Sequence, residues 1–359
     1  MIIERIDTQV VELPLPRVIT NAANVPTETL GCVIVRLQAG AQGESFIYTM
    51  RNRHTAPVQA MIDSLGELLI GEDAAYPERI WQRLWREIYF FGFSGVSVLA
   101  ISALDTAVWD AHAKVLEQPL GRLLGQYTDS VPAYASQGLW TNNTADELAA
   151  EAAALKADGW HAMKMRLGRP RIDEDVERVR AVREAIGDDV VLMADASRAF
   201  TVDHAIRLGR RLEEFGLAWI EEPLPAHDHA GIAKVAAALD TPIVIGENDY
   251  TRYGFRRILE AGAADMWMLD LARIGGISEM RRVAALASAY DIPVSNHVYS
   301  EHSLALLSTF SNCNYVEYID WFEALFADHV ELVDGKLAVP TRPGLGYALD
   351  WAAIERLAA

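Results

Sequence analysis

HAMKMRL at 161–167, VVLMADAS at 190–197, LAWIEEP at 217–223 and PIVIGEN at 242–248 are short apolar runs, each ending near an ionisable residue. Four similar runs flank them: VPAYAS at 131–136, MWMLDLA at 266–272, IPVSNHV at 292–298 and YVEYID at 315–320. The segments between most of them carry helical periodicity, for example DEDVERVRAVREAIG at 173–187 and ISEMRRVAALASAY at 277–290. Short strands alternating with helices make parallel βαβ units, and eight such units close into a TIM-type (β/α)8 barrel. A doubly wound sheet is the structural alternative, and a glycine-rich phosphate loop after the first strand would favour it. None is present, and Gly275 and Gly276 in RIGGIS read as a tight turn instead.

Upstream the pattern differs. Residues 2–13 and 31–38 read as strands joined by a loop from Pro14 to Thr29, and helices follow near 56–70, 77–90 and 95–116. This is an α+β capping domain over residues 1–125, ahead of a barrel over 126–320. A C-terminal segment, 321–359, contains the hairpin-like LVDGKLAVP at 332–340 and is expected to pack back on the first domain rather than extend the barrel.

The chain has 359 residues, 51% of them hydrophobic, and a formal charge of −18. That field repels nucleic acid and anionic membrane surfaces, so neither is expected as a partner. An anionic substrate then needs a local cation or converging basic side chains. Cys32 and Cys313 lie in no metal or disulfide spacing. No apolar run is long enough for a membrane span and the start has no apolar signal region, so a cytoplasmic protein is expected.

Active sites of such barrels lie at the C-terminal strand ends. Reading strands two to eight gives Lys164 with Arg166, then Asp195, Glu221, Glu247, Asp270, His297 and Glu317. Each alone has a plain structural reading: a helix cap for Asp195, a rim charge for Lys164 or Arg166, a satisfied histidine for His297. Independent caps give no reason for ionisable groups at every successive strand end. Three carboxylates on adjacent strands suit a hard cation such as Mg2+, and Asp270 is placed to orient His297.

AISALDTAVWDAHAK with PLGRLLG at 100–125, WIEEP at 219–223 and this strand-end order resemble the mandelate racemase branch of the enolase superfamily. The resemblance implies that Asp195, Glu221 and Glu247 hold Mg2+, although spacing alone does not choose Glu221 over Glu222. It implies that His297 and Asp270 form the acid/base dyad and that Glu317 bonds the substrate carboxylate beside Lys164. It also implies that cap loops near 16–30 and 45–56 choose the substrate, a small hydroxy-carboxylate. Arg51, Arg53 and His54 in IYTMRNRHT are candidates there, with a solvated basic turn as the other reading. Arg166 stands where the family commonly has a second lysine, and Ser197 where it has Asn or His. Arginine stays protonated, so a two-base racemase is disfavoured.

The expectation is an acid sugar dehydratase acting on an aldonate or aldarate. In that reading His297 takes the α-proton and a protonated Glu317 donates to the substrate. A racemase or epimerase is the runner-up, a cycloisomerase is open, and a non-catalytic binding relative is weaker. A homo-oligomer is expected.

Overall fold

The computed structural model describes residues 1–20 and 26–358. It begins with an antiparallel sheet of β1 (Arg5–Ile19), β2 (Thr27–Gln38) and β3 (Gln42–Thr49), in that spatial order. Two expectations change here. The Pro14–Thr29 segment is not all loop, since β1 runs to Ile19, which pairs with Thr27. Pro14 is tolerated because β1 is an edge strand, where a missing N–H need break no ladder bond. Strand β3 is the second difference: it takes in Gln42–Thr49, part of the 45–56 segment expected as a cap loop, and Gly40, at φ 77°, turns the chain tightly into it.

Two helices cover this sheet, α1 (Thr55–Glu67) and α3 (Val96–Val115), and α2 (Pro77–Glu87) packs on α3. Helix α3 is buried on every side, fifteen of its twenty residues lacking exposure, because it lies between the cap sheet and the barrel. Gly43 on β3 has no Cβ and so admits the Ala107 carbonyl and Ala111 of α3. After α4 (Leu120–Leu123) the barrel starts.

Its strands are β4 (Ser130–Ala135), β5 (Ala162–Arg166), β6 (Val191–Asp195), β7 (Ile220–Glu221), β8 (Ile243–Ile245), β9 (Met266–Asp270), β10 (Val294–His297) and β11 (Cys313–Tyr318). They pair in parallel in sequence order, and β11 returns to pair with β4, which closes the barrel. The connecting helices are α5 (Ala145–Ala157), α6 (Ile172–Ile186), α7 (Val202–Leu212), α8 (His229–Ala236), α9 (Thr251–Ala261), α10 (Leu271–Ile274), α11 (Ile277–Ser288) and α12 (Ser300–Leu307). Gly275 and Gly276, both at positive φ, make the turn between α10 and α11.

Side-chain alternation turns the barrel's core into its mouth. Tyr134, Ala162, Met193, Trp219 and Met268 pack with one another at the centre. Two residues further along the same strands, and so on the same face, come Ser136, Lys164, Asp195, Glu221 and Asp270.

The C-terminal segment departs from expectation in one respect. The hairpin of β12 (Leu332–Val333) and β13 (Lys336–Ala338) does extend the barrel sheet, β13 pairing antiparallel with β4. The residues beyond it reach the cap: Leu345 N–H donates to Asp110 at 2.8 Å and Trp351 Nε1 to Glu44 at 2.7 Å, ahead of α13 (Trp351–Leu357). No described helix is long and apolar enough to cross a membrane.

Candidate active site

At the barrel mouth, a pocket of about 120 Å3 is lined by Lys164, Arg166, Asp195, Ser197, Glu247, His297 and Glu317, with aromatic walls from Tyr48, Trp140 and Trp321. His297 and Asp270 are register partners on β10 and β9, and Nδ1 of the ring lies 2.6 Å from Oδ2 of Asp270. Asp270 also accepts from the Arg273 backbone at 2.7 Å and its guanidinium at 3.3 Å. Its carboxylate therefore anchors the imidazole from behind, leaving Nε2 as the working nitrogen, 3.3 Å from Glu247. Burial alone would lower the pKa of His297, but Glu247 and the bond to Asp270 outweigh it and raise the value.

Opposite the dyad, Lys164 Nζ sits between two carboxylates, 2.8 and 2.9 Å from the oxygens of Glu221 and 2.8 Å from Glu317. Glu317 corrects an expectation: it is an acceptor, not a protonated donor. It takes hydrogen bonds from Ser136 Oγ and the Val298 amide, both at 2.6 Å. Burial pushes its carboxyl up, but Lys164, His297 and the Ser136 hydroxyl hold it down at about 2.

Arg166 stacks on Trp140, 4.1 Å from the ring centre, and donates to the carbonyls of Ser136 and Gly138 and to Ser136 Oγ. With those acceptors it is a fixed charge. Ser197 donates its amide, at 2.7 Å, and its hydroxyl, at 3.2 Å, to Asp195 Oδ1, so it orients that carboxylate. Ser197, Arg198, Glu222, Val298 and Tyr299 all hold positive φ at these strand ends. Such backbone costs roughly 1–3 kcal/mol per residue and collects at functional sites.

The donor set for a cation is oxygen-only: Asp195, Glu221 and Glu247 at the ends of three adjacent strands. Burial pushes Glu221 well above the carboxylate range, with Lys164 opposing and Asp195, Glu247 and Glu317 adding to the push. Burial also pushes Glu247 up, but His297, Arg198, Arg273 and Lys164 hold it down at about 2. It is the all-oxygen donor set that fits a hard divalent ion. Yet among the described residues no three such groups are drawn together as a ligand set, so the expected convergence is incomplete. The reason is visible, since Lys164 holds both oxygens of Glu221. Glu222 faces elsewhere: it accepts from the Gly246 amide, its second oxygen is buried without a partner, and burial with Glu247 raises it to about 8.

The cap candidates behave differently from one another. Arg51 donates to the Pro26 carbonyl at 3.4 Å and Arg53 is exposed beside His54; neither lines the pocket. His54 lines a neighbouring cavity. Of the 16–30 loop, residues 21–25 lie outside the described residues. Sequence reading missed Arg273, Tyr48, Trp140 and Trp321. Arg273 had a signal, three residues after Asp270 at the start of a helix, whereas the aromatic walls come from distant segments with no local mark.

Comparison with known proteins settles the lineage. Residues 5–125 match the mandelate racemase/muconate lactonizing enzyme N-terminal domain, and residues 147–353 the enolase C-terminal domain-like family. The chain belongs to the mandelate racemase/muconate lactonizing enzyme family of the enolase superfamily. Within it, the chain is 36% identical to a 3,6-anhydro-alpha-L-galactonate cycloisomerase from Streptomyces coelicolor, over 99% of each chain. It superposes on the crystal structure of a racemase from Streptomyces coelicolor A3(2) with bound magnesium, with TM-score 0.96, 36% identity and 100% of each chain covered. Against L-talarate dehydratase from Polaromonas sp. JS666, complexed with Mg and L-glucarate, the TM-score is 0.94 at 34% identity, covering 100% of this chain and 97% of that one. Members of this family thus include acid sugar dehydratases and cycloisomerases, and relatives carry magnesium.

Proposed function

We propose that this family member dehydrates a sugar acid, an aldonate or aldarate, to a 2-keto-3-deoxy acid. The observation that carries the reading is the asymmetry of the mouth: His297 on Asp270 faces an Arg166 committed to Ser136, Gly138 and Trp140 and a Lys164 held between Glu221 and Glu317, neither of them placed as a proton acceptor. A racemase needs a proton carrier on each face. The relative crystallised as a dehydratase with Mg and L-glucarate supports the substrate class.

Asp195, Glu221 and Glu247 would hold Mg2+, Glu221 turning from Lys164 to do so. When bound, the ion would neutralise charge developing on the substrate carboxylate. Lys164, freed toward the substrate, would stabilise the same charge, and Glu317 would keep that ammonium and the Val298 backbone in place. His297 Nε2 takes the α-proton. The protonated ring then gives that proton to the departing β-hydroxyl, which leaves as water, and the resulting enol becomes the keto acid. Asp270 keeps Nδ1–H directed at itself throughout.

The 36% relationship to a cycloisomerase keeps an isomerisation through the same proton removal as the second reading. A panel of acid sugars assayed with Mg2+ separates the two: dehydration yields a 2-keto acid one water lighter, whereas isomerisation conserves mass. Mass-conserving turnover as the dominant reaction would overturn the dehydratase.

A further inference from the structure

Just after α2 the chain reads YFFGF at 89–93, and its rings stand outside: Tyr89 is 73% exposed, Phe90 81%, Phe91 67% and Phe93 47%. With Tyr253 of α9, also exposed, they present roughly 600 Å2, taking about 200 Å2 for each aromatic residue. That is the upper end of what a monomer shows as an apolar patch, and it approaches the ~800 Å2 per partner of a standard interface. We infer that this face is the contact between two copies of the chain paired about a two-fold axis, with Phe90 and Phe91 of each copy entering an aromatic hollow on the other. The inference does not depend on the reaction assigned above.

The rings are held out rather than left on a loose loop. The Phe91 and Gly92 amides both donate to the Ile88 carbonyl at 3.0 Å. Ser97 of α3, itself buried, donates its hydroxyl to the carbonyls of Gly92 at 2.7 Å and Ser94 at 3.0 Å, which ties the turn to that helix. Leaving these rings in water forgoes burial worth about 1.5–3 kcal/mol for each phenylalanine, and a partner surface recovers it. Shape points to the same chain as that partner. Beside the projecting rings lies a hollow of about 540 Å3, walled by Trp85, Phe93, Tyr250 and Tyr253. Trp85 stacks at 4.5 Å from Phe93 and 6.0 Å from Tyr253, centre to centre. Phe93 belongs to both the projection and the hollow, so the two share one face. A two-fold contact demands this self-complementarity, whereas an unrelated partner needs only one of the two. Exposed Arg86, Glu87 and Arg257 border the rings, giving the aromatic core and polar rim of an interface. An anionic membrane surface is a poorer occupant, since the chain's charge of −18 repels it.

The test is sedimentation of the whole protein, 39.7 kDa per chain. Wild type should sediment as a dimer or as a larger assembly of dimers. Phe90→Asp and Phe91→Asp, both at exposed rings, should raise the dissociation constant of this contact by about thirty-fold or more, the cost of losing a central aromatic, and shift the mass toward half. Circular dichroism shows whether each variant is folded; where one is not, cross-linking decides. Phe90→Cys chains mixed with Tyr253→Cys chains should be joined by a short bis-maleimide into a covalent pair more than either variant alone, with wild type as the control for Cys32 and Cys313. A wild type that stays monomeric at every loading concentration overturns the inference, and one that instead sediments with phosphatidylcholine vesicles gives the face to a membrane. Masses untouched by both aspartate substitutions, or cross-linking between like chains only, overturn it as well.

Discussion

His297 and Asp270 stand opposite one another in parallel register, with 2.6 Å between Nδ1 and Oδ2, and Arg273 grips the same carboxylate. The ring's orientation is thus set by a chain of three side chains. His297→Asn should lower turnover of an accepted acid sugar by roughly 10²–10⁴-fold, the usual worth of a general base. Asp270→Asn should also lose most activity, since an amide can present N–H to Nδ1 and favour the wrong tautomer. Steady-state rates with unchanged circular dichroism check both; an active His297→Asn would remove the histidine from the mechanism.

Arg166 bears on stereochemistry. In D2O, wild type should exchange or eliminate only the α-proton that His297 reaches, and Arg166→Ala should weaken binding without adding exchange at the other face. Arg166→Lys places a titratable amine there and should introduce some opposite-face exchange. Nuclear magnetic resonance of recovered substrate reads this, and opposite-face exchange already present in wild type would establish a second base.

Metal removal distinguishes the paired glutamates of WIEEP. Exhaustive chelation should abolish turnover and Mg2+ should restore it. Glu221→Gln should weaken Mg2+ binding, measured by calorimetry, by about ten-fold or more, the low end for losing a coordination partner. Glu222→Gln should have the smaller effect, because a carboxyl raised to about 8 is already neutral near pH 7 and resembles the amide. The reverse order would assign the ion to Glu222.

A pH effect on stability should come from Asp105, buried on α3, which accepts from the Ser278 amide at 2.8 Å and hydroxyl at 2.6 Å at the start of α11. Burial raises its carboxyl to about 7, against the pull of those bonds. A carboxyl raised in the folded state contributes its full stability below the unfolded value near 4 and loses it as pH rises through about 7. Wild type should therefore lose on the order of a few kcal/mol relative to Asp105→Asn between pH 4 and 8. Urea unfolding across that range measures the difference; a gap independent of pH would show that Asp105 titrates normally.

The barrel was legible because its strands are short and apolar, and because positions two apart share a face, so Met193 leads to Asp195 and Met268 to Asp270. The dyad was legible for the same reason. What failed was local information with a distant cause. Nothing near Arg51 or Arg53 tells that one caps the Pro26 carbonyl and the other stays in solvent. The identity of Glu317 as an acceptor depended on Ser136 and Val298, which lie on other segments. Strand β3 was hidden by its place in a segment expected as a cap loop, and the hairpin's attachment to β4 by the absence of any pairing signal in LVDGKLAVP.

The links from Leu345 to Asp110 and from Trp351 to Glu44 join the last part of the chain to the first. During synthesis the cap leaves the ribosome more than two hundred residues before these partners do. Its sheet must wait, with Glu44 and Asp110 lacking them, until translation is nearly finished. A chain stalled late, with its whole barrel already made, would still lack these two links between its ends.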